Sequence, residues 1–203
     1  MWLTFNLFLK RIFDIVCALA GITFLSPLLL VVAVAVYLDD GSPILFLQKR
    51  IGLNKRPFWM FKFRSMLRDS EFSGTGLNCF EGDPRITKVG ALIRRTSIDE
   101  IPQLFNILKG EMSFIGPRPP VSYELGDLDK LPNCYNPRFV MRPGISGLAQ
   151  VNGRDELEWP EKIIFDNRYI ELFQTLGVFL DLVLVCRTVF SVISMRNVFE
   201  RRR

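Results

Sequence analysis

The most distinctive feature of the hydrophobic pattern is a long apolar run near the N-terminus. Residues 12–38 are almost wholly apolar, and Asp14 is the only charged residue among them. At about 1.5 Å per residue, a helix of this length can span a bilayer. The run is longer than the apolar region of a signal peptide, and no small-x-small cleavage site follows it before Asp39. The pattern therefore predicts a membrane-embedded helix.

Flanking charges and a proline bear on how this helix meets the membrane. Lys10 and Arg11 precede it, and residues 41–68 hold seven basic side chains and no acidic one. Basic residues favour the cytoplasmic side, so both ends are predicted on one face, as in a re-entrant hairpin. Pro27 removes a backbone donor in mid-run, and the Ser26 hydroxyl can bond a carbonyl that the break frees. A single-pass helix with a kink at Pro27 is the alternative.

The rest of the chain alternates short periodic segments with loops rich in glycine and proline. The pattern predicts an α/β chain that is mostly helical with a few short strands. Because prolines fix the backbone and remove donors, residues 113–120 are expected to hold no regular element. Strands are predicted over 44–47 and 58–63, helices over 85–96, from about 97 or 99 to 108 and over 159–171, and loops over 69–84 and 142–154.

A second apolar segment, residues 172–194, has helical spacing. Asp181 and Arg187 argue against a second membrane span. An amphipathic helix lying in the membrane interface is the favoured interpretation, because Arg196 and the arginines at 201–203 would then meet anionic lipid. Packing of this helix in the core of the domain is the alternative.

Composition narrows the chemistry. The 203 residues are 49% hydrophobic and carry a net charge of +5, which suits partners that bear phosphate. The chain has no histidine, so it has no Ser-His-Asp nucleophile, no His-ligated zinc and no imidazole base. The four cysteines form no CxxC pair, as expected of a protein in a reducing compartment. The long apolar run weighs against nucleic acid as a partner.

Adjacent carboxylates, Asp99 and Glu100, are the strongest candidates for chemistry. They are predicted to open a helix, where an acidic pair is most often a capping or dipole feature. A carboxylate can also hold Mg²⁺ at a diphosphate or attack phosphorus as a nucleophile. Arginine side chains, which suit phosphate oxygens, flank glycine, proline or helix starts at Arg94, Arg118, Arg142 and Arg154.

A series of short motifs runs along nearly the whole chain. They are Lys10-Arg11-x-x-Asp14, Ser26-Pro27, Gln48-x-Arg50-x-Gly52, the string from Phe61 to Met66, Arg94-x-x-Ser97-Ile-Asp99-Glu100-Ile-Pro102-Gln103-Leu-Phe-Asn106, Gly110-x-Met112-Ser113-x-Ile-Gly116-Pro-Arg-Pro119, Arg142-Pro143-Gly144-Ile-x-Gly147 and Gln150-Val-Asn-Gly-Arg154. In these motifs and their order the chain resembles the bacterial sugar transferase family, the small monotopic phosphoglycosyl transferases.

The resemblance implies transfer of a sugar-1-phosphate from a UDP-sugar to polyprenyl phosphate, such as undecaprenyl phosphate, in the assembly of bacterial surface glycans. The carboxylate at Asp99 would attack the sugar-bearing phosphate and release UMP, and the lipid phosphate would then attack the phosphosugar-enzyme. Glu100 would complete the dyad. Mg²⁺, held at Asp99, would neutralise the diphosphate. Side chains expected to bind the substrates are Lys62, Arg94, Arg118, Arg154 and Asp166.

The resemblance also implies an architecture. Ser26 and Pro27 would form the membrane break, so that residues 1–40 make a re-entrant anchor and residues 41–203 a cytoplasmic catalytic domain at the inner membrane. Larger family members carry an additional N-terminal membrane domain, which this chain is expected to lack. Residues 71–82 and 121–137 match no family motif and are expected to discriminate between sugars.

An inactive peripheral membrane scaffold with a basic surface is the alternative function. Such a protein has no need of the acidic dyad or of the Gly-Pro-Arg-Pro segment at 116–119. For the enzyme, the expected partners are a UDP-sugar, polyprenyl phosphate and anionic lipid of the inner membrane, and not nucleic acid. A homo-oligomer is compatible with the sequence.

Overall fold

The computed structural model describes residues 2–72, 74–77, 79–80, 82–153 and 157–193. The predicted class, mostly helical with a few short strands, is confirmed. The helices are α1 (Trp2–Asp40), α2 (Lys88–Arg95), α3 (Gln103–Lys109), α4 (Leu148–Asn152), α5 (Trp159–Leu176) and α6 (Val178–Ile193). The strands are β1 (Leu45–Ile51), β2 (Pro57–Phe63), β3 (Ser113–Ile115) and β4 (Gly144–Ser146).

Helix α1 continues through Pro27, whereas the sequence predicted a helix, a break and a second helix. Pro27 has no N–H to donate to the carbonyl of Thr23, four residues earlier. The Ser26 hydroxyl donates to that carbonyl at 2.9 Å, as predicted for a freed carbonyl. This local replacement leaves the helical conformation intact, so the proline costs one backbone hydrogen bond and does not end the helix.

Both halves of α1 pack on the rest of the chain. In the first half, Ala18 belongs to a buried cluster with Leu104 of α3. In the second half, Val32 and Val36 pack with Phe63 and Ile93. Among the described residues, α1 is the one helix long and apolar enough to cross a membrane, and 11% of its most apolar 18-residue window is buried. Most of its apolar surface therefore faces outward.

Buried polar contacts tie the start of α1 to the C-terminal helices. The Lys10 ammonium lies 2.5 Å from Asp181 of α6 and donates to the carbonyl of Ile115 at 2.8 Å. The Tyr169 hydroxyl donates to the other Asp181 oxygen at 2.8 Å. Lys10, interpreted from sequence as a membrane-flanking charge, is thus buried in an ion pair that holds α1 against α6.

Strands β1 and β2 form an antiparallel hairpin in which Leu45 pairs with Phe63 and Ile51 with Pro57. β1 extends four residues beyond the predicted end at 47, because every residue up to Ile51 has a partner on β2. Alternate residues of β2 face inward, and Phe58 and Met60 are buried against α1 and α3.

A second, parallel pairing corrects the prediction for two loops. Ser113 of β3 pairs with Gly144 of β4, and Ile115 with Ser146, although 113–120 and 142–154 were predicted to be irregular. The prolines begin only at Pro117, so the preceding amides remain free to donate. The strands approach so closely that a Cβ at Gly144 would lie 2.2 Å from a backbone nitrogen, so the glycine permits this pairing. The short helix α4 follows directly.

The acidic pair does not open a helix. Asp99 and Glu100 lie in a single 3-10 turn, Ile98–Glu100, and α3 begins only at Gln103. Ser97 adopts a left-handed conformation (φ 56°) between α2 and this turn. Pro102 has no N–H to join a regular helix running from Ser97, so the predicted helix is divided here. The helix ends at Lys109, one residue beyond the predicted end at 108, and Gly110 follows it in a left-handed conformation (φ 84°).

The C-terminal helices divide at Gly177 (φ 58°), five residues beyond the predicted boundary. One face of α6 packs Leu180 and Leu184 into a cluster with Tyr169 and Phe173 of α5. The other face is apolar and exposed, as at Phe190 (66% exposed). One face of α6 therefore packs in the core, as the alternative interpretation predicted. The second face is exposed, as an amphipathic helix in the membrane interface would require. Arg196 and the arginines at 201–203 lie outside the described residues.

Candidate active site

A lysine on β2 meets the second carboxylate of the acidic turn. The Lys62 ammonium lies 2.6 Å from Glu100 Oε1, and both side chains are about four-fifths buried, at 17% and 21% exposed. Asn106 of α3 fixes the position of β2 relative to α3. Its side chain accepts a hydrogen bond from the amide of Phe61 at 3.0 Å and donates one to the carbonyl of Trp59 at 2.7 Å. The strand edge is thus fixed against the helix that follows the acidic turn.

Four predicted site residues line one cleft of about 540 Å³: Lys62, Arg94, Asp99 and Arg118. The β1–β2 hairpin, part of the segment after β2, the Gly-Pro-Arg-Pro segment and the start of α5 form its walls. A volume of this size suits a small-molecule substrate. The structure therefore brings together three cationic side chains and a carboxylate from distant parts of the chain.

The two adjacent carboxylates differ in their electrostatic surroundings. Burial raises the pKa of Asp99 to about 6, although the charges of Lys62 and Arg94 oppose this rise. Burial alone would also raise the pKa of Glu100, but the charges of Lys62 and Arg118 outweigh it and lower that pKa to about 2. Glu100 is therefore the permanent anion of the pair, and Asp99 titrates just below neutral pH.

Hydrogen bonds hold the Gly-Pro-Arg-Pro segment from two sides. Arg50 of β1 donates to the carbonyl of Pro119 at 2.7 Å and to the side-chain oxygen of Gln48. Arg138 donates to the backbone carbonyl of Arg118. Arg50 belongs to a family motif that was given no role from sequence, and it lines the same cleft.

Asp166, which was expected to contact a substrate, is buried beside Arg138. Its side chain is 2% exposed and lies 3.2 Å from Arg138, whose side chain is 1% exposed. Burial raises the pKa of Asp166 to about 6, against the attraction of Arg138. Asp166 is not among the described residues that line the cleft. The contact predicted between Asp166 and a substrate therefore has no direct geometric basis in the described structure.

Arg138 belongs to none of the sequence motifs and was given no role from the sequence. It lies in the one-turn helix Pro137–Val140, with its guanidinium 4.7 Å from the Trp159 ring centroid. A single basic residue in a proline-containing loop is ordinarily exposed, so the sequence carried no signal of its burial. Arg142, whose role the sequence left open, donates to the carbonyl of Gly110 at 2.8 Å. Arg154 lies outside the described residues.

The two carboxylates of the acidic turn are the expected ligands for a metal ion at the cleft. Across the described ranges, no group of three or more histidine, cysteine or acidic side chains could hold a metal ion. Asp99 and Glu100 offer hard oxygen donors beside a cationic cleft. Mg²⁺ is commonly held by one or two carboxylates together with substrate phosphates, so the donor set fits an ion that arrives with a diphosphate.

Comparison with known sequences identifies relatives along almost the whole chain. A family model described as "Bacterial sugar transferase" matches residues 5–195. The chain is 41% identical over 190 residues to the UDP-N-acetylgalactosamine-undecaprenyl-phosphate N-acetylgalactosaminephosphotransferase of Aeromonas hydrophila, covering 92% of this chain and 44% of that protein. It is 40% identical over 200 residues to the undecaprenyl-phosphate glucose phosphotransferase of Komagataeibacter xylinus, covering 94% and 37%.

A third relative is similar in length. The uncharacterized sugar transferase EpsL of Bacillus subtilis (strain 168) is 39% identical over 193 residues, covering 94% of this chain and 90% of that protein. The chain spans less than half the length of the first two relatives and nearly all of the third.

Proposed function

Because this chain belongs to the bacterial sugar transferase family, we propose that it transfers a sugar-1-phosphate from a UDP-sugar to undecaprenyl phosphate and releases UMP. Undecaprenyl phosphate appears in the names of the Aeromonas hydrophila and Komagataeibacter xylinus relatives, which supports it as the acceptor. One observation carries the proposal: the buried carboxylate of Asp99 lines the same cleft as Lys62, Arg94 and Arg118. Phosphoryl transfer needs such charge neutralisation around a nucleophile.

The reaction proceeds in two displacements at phosphorus. The diphosphate of the donor lies between Arg118 and Arg94, and ionised Asp99 attacks the phosphorus that bears the sugar. A new bond joins a carboxylate oxygen to phosphorus as the bond to the UMP oxygen breaks, and UMP leaves with those electrons. A phosphate oxygen of undecaprenyl phosphate then attacks the same phosphorus and releases the Asp99 carboxylate.

The roles of the two carboxylates follow from their surroundings. Glu100 is held in an ion pair with Lys62, so its oxygen is already engaged. Asp99 lines the cleft, and its higher pKa makes it the more basic oxygen. Asp99 is therefore the nucleophile. Glu100 orients Lys62 and keeps its ammonium beside the reacting phosphate.

Mg²⁺ would be held by Asp99, with Glu100 as the second carboxylate of the turn. The ion would supply charge neutralisation of the donor diphosphate. The other positive charges around the diphosphate come from side chains: Arg94 and Arg118 bind phosphate oxygens, and Lys62 faces the cleft from β2.

The contacts of α1 support a re-entrant anchor made of residues 1–40. Arg11 donates to carbonyls at the end of α3, and Arg64 lies 3.1 Å from Asp40 and donates to the carbonyl of Gly41 at 2.8 Å. Both ends of the helix are thus tied to one catalytic body. A straight span would carry Lys10 and Asp40 to opposite sides of the membrane.

The seven basic residues over 41–68 support a catalytic domain, residues 41–203, at the cytoplasmic face of the bacterial inner membrane. The exposed apolar face of α6 then rests in the membrane interface beside anionic lipid. The acceptor phosphate lies at headgroup level, so a cleft close to the anchor can receive it.

UMP release by purified protein with Mg²⁺, undecaprenyl phosphate and a panel of UDP-sugars tests the proposal. Release with one donor, lost in Asp99→Asn, is the expected result. Absence of release with every donor would favour the membrane scaffold, which needs only the basic surface and the apolar anchor.

A further inference from the structure

A chain of three residues runs from α5 to the cleft. Asp166 of α5 is paired with Arg138, and Arg138 donates to the backbone carbonyl of Arg118. Arg118 in turn lines the cleft beside Asp99. The side chains of Asp166 and Arg138 are almost fully buried, so neither can touch a substrate in the cleft directly.

The Arg138 guanidinium is fixed on several sides. The same nitrogen, Nη2, lies 3.2 Å from the Asp166 carboxylate and donates to Arg118. The planar group also lies over the Trp159 ring at 4.7 Å and 5.7 Å from the Phe139 ring centroid. A guanidinium plane held by a carboxylate at Nη2 and by an aromatic face is restricted in orientation, so the direction of the Nη2 donor is set before any ligand arrives.

The backbone at Arg118 transmits this orientation to its side chain. Pro117 and Pro119 flank the residue, and prolines restrict both their own φ and the conformation of the preceding residue. Arg50 holds the carbonyl of Pro119 from the opposite side. Fixing the carbonyl of Arg118 therefore fixes the direction in which its side chain leaves the backbone.

We propose that Arg138, held by Asp166, is a positioning residue that aims Arg118 at the diphosphate of the nucleotide donor. This inference rests on the proposed function and assigns Asp166 an indirect role in binding. Burying an ion pair costs solvation free energy that a well-packed apolar pair would not incur. The positioning role accounts for a charged pair at this place, directly behind the cleft.

The test uses UDP as the probe. Its dissociation constant is measured calorimetrically with the full chain in detergent and Mg²⁺. Arg138→Lys keeps the charge and removes the fork, and Asp166→Asn keeps the shape and removes the charge. Each is expected to weaken UDP binding about tenfold or more, because a displacement of about 1 Å is costly in such sites. Arg168→Gln, a surface change two residues along α5, is the matched control and leaves binding unchanged.

A double variant separates positioning from general structure. In an Arg118→Ala background, Arg138→Lys is expected to cause no further loss of UDP affinity, since no side chain remains to be aimed. Thermal unfolding of each variant verifies folding, and Asp166→Asn serves if Arg138→Lys does not fold.

Three results would overturn the inference: unchanged UDP affinity in folded Arg138→Lys and Asp166→Asn, losses that multiply with Arg118→Ala, or no binding of UDP to the wild type. UDP binding by the wild type without UMP release from any UDP-sugar would contradict the proposed function alone.

Discussion

The Lys62 ammonium is paired with Glu100 Oε1 at 2.6 Å, and the neighbouring Asp99 is left to face the cleft. This pairing divides two adjacent carboxylates into a fixed anion and a titrating one. Burial and the nearby anion raise the pKa of Asp99, while Lys62 and Arg118 lower that of Glu100. Environments that separate the pKa values of a pair in this way are typical of catalytic carboxylates.

Replacing the nucleophile removes the reaction without removing the fold. Asp99→Asn is expected to lower the rate of UMP release by at least about 10³-fold, because the amide cannot form the phosphosugar intermediate. Membrane fractionation and thermal unfolding should remain close to the wild type. Turnover by Asp99→Asn at the wild-type rate would contradict the assignment.

The rate is expected to depend on pH through Asp99. The reactive form is the carboxylate, and the pKa of Asp99 is raised to about 6. The rate of adduct formation should therefore rise from pH 5 to pH 7 and level off above it. Single-turnover measurements over this range provide the profile. A rate independent of pH between 5 and 7 would exclude Asp99 as the titrating nucleophile.

The raised pKa of Asp99 also predicts how the stability of the protein changes with pH. Between the ordinary value of 3.8 and about 6, the folded state binds more protons at Asp99 than the unfolded state. The contribution of Asp99 to the free energy of unfolding therefore falls as pH rises through this window. The free energy of unfolding of Asp99→Asn, relative to that of the wild type, should therefore increase by about 1–3 kcal/mol between pH 3.5 and pH 7. Denaturant unfolding at the two pH values tests this, and an unchanged difference would argue against the raised pKa.

Loss of Lys62 should affect both rate and pH profile. Lys62→Met removes a cation from the cleft and leaves Glu100 without its partner, so the rate should fall about 10²-fold. The midpoint of the pH profile should move upward, because Lys62 opposes the rise in the Asp99 pKa. Lys49→Met, an exposed lysine of β1, is the matched control. A reduced rate with an unshifted midpoint would mean that Lys62 does not act on Asp99.

Topology can be tested by labelling cysteines with a membrane-impermeant maleimide. In a variant with the four native cysteines replaced by serine, Leu3→Cys and Trp59→Cys lie at exposed positions before and after the apolar run. Both should react from the cytoplasmic side only. Reaction from opposite sides would show a straight span. In Pro27→Ala the backbone bond to Thr23 is restored, and the re-entrant arrangement should be weakened.

Local sequence pattern was sufficient to predict most helices and the presence of strands β1 and β2, because these elements depend on periodicity and nearby turn residues. It was insufficient for β3 and β4, whose pairing joins Ser113 to Gly144 across a long interval and depends on close backbone approach. It was also insufficient at Pro27, where one side-chain hydrogen bond from Ser26 preserves the helix.

Candidate site residues were predictable to the extent that the chemistry lies in short motifs. Lys62, Arg94, Asp99 and Arg118 come from three motifs, with Arg94 and Asp99 in the same one, and the four side chains meet in one cleft. The opposite pKa shifts of Asp99 and Glu100 could not be predicted from the sequence, because they depend on burial and on Lys62 of β2. Arg138 was missed for the same reason: its partner Asp166 lies on a different element.

The most direct test of the account is the intact mass of the protein after incubation with Mg²⁺ and its UDP-sugar, without undecaprenyl phosphate. The account predicts a mass increase equal to one phosphosugar, with one UMP released per chain, no adduct in Asp99→Asn, and loss of the adduct when undecaprenyl phosphate is added. UMP release that requires both substrates together, with no adduct on the wild-type protein, would contradict the covalent mechanism.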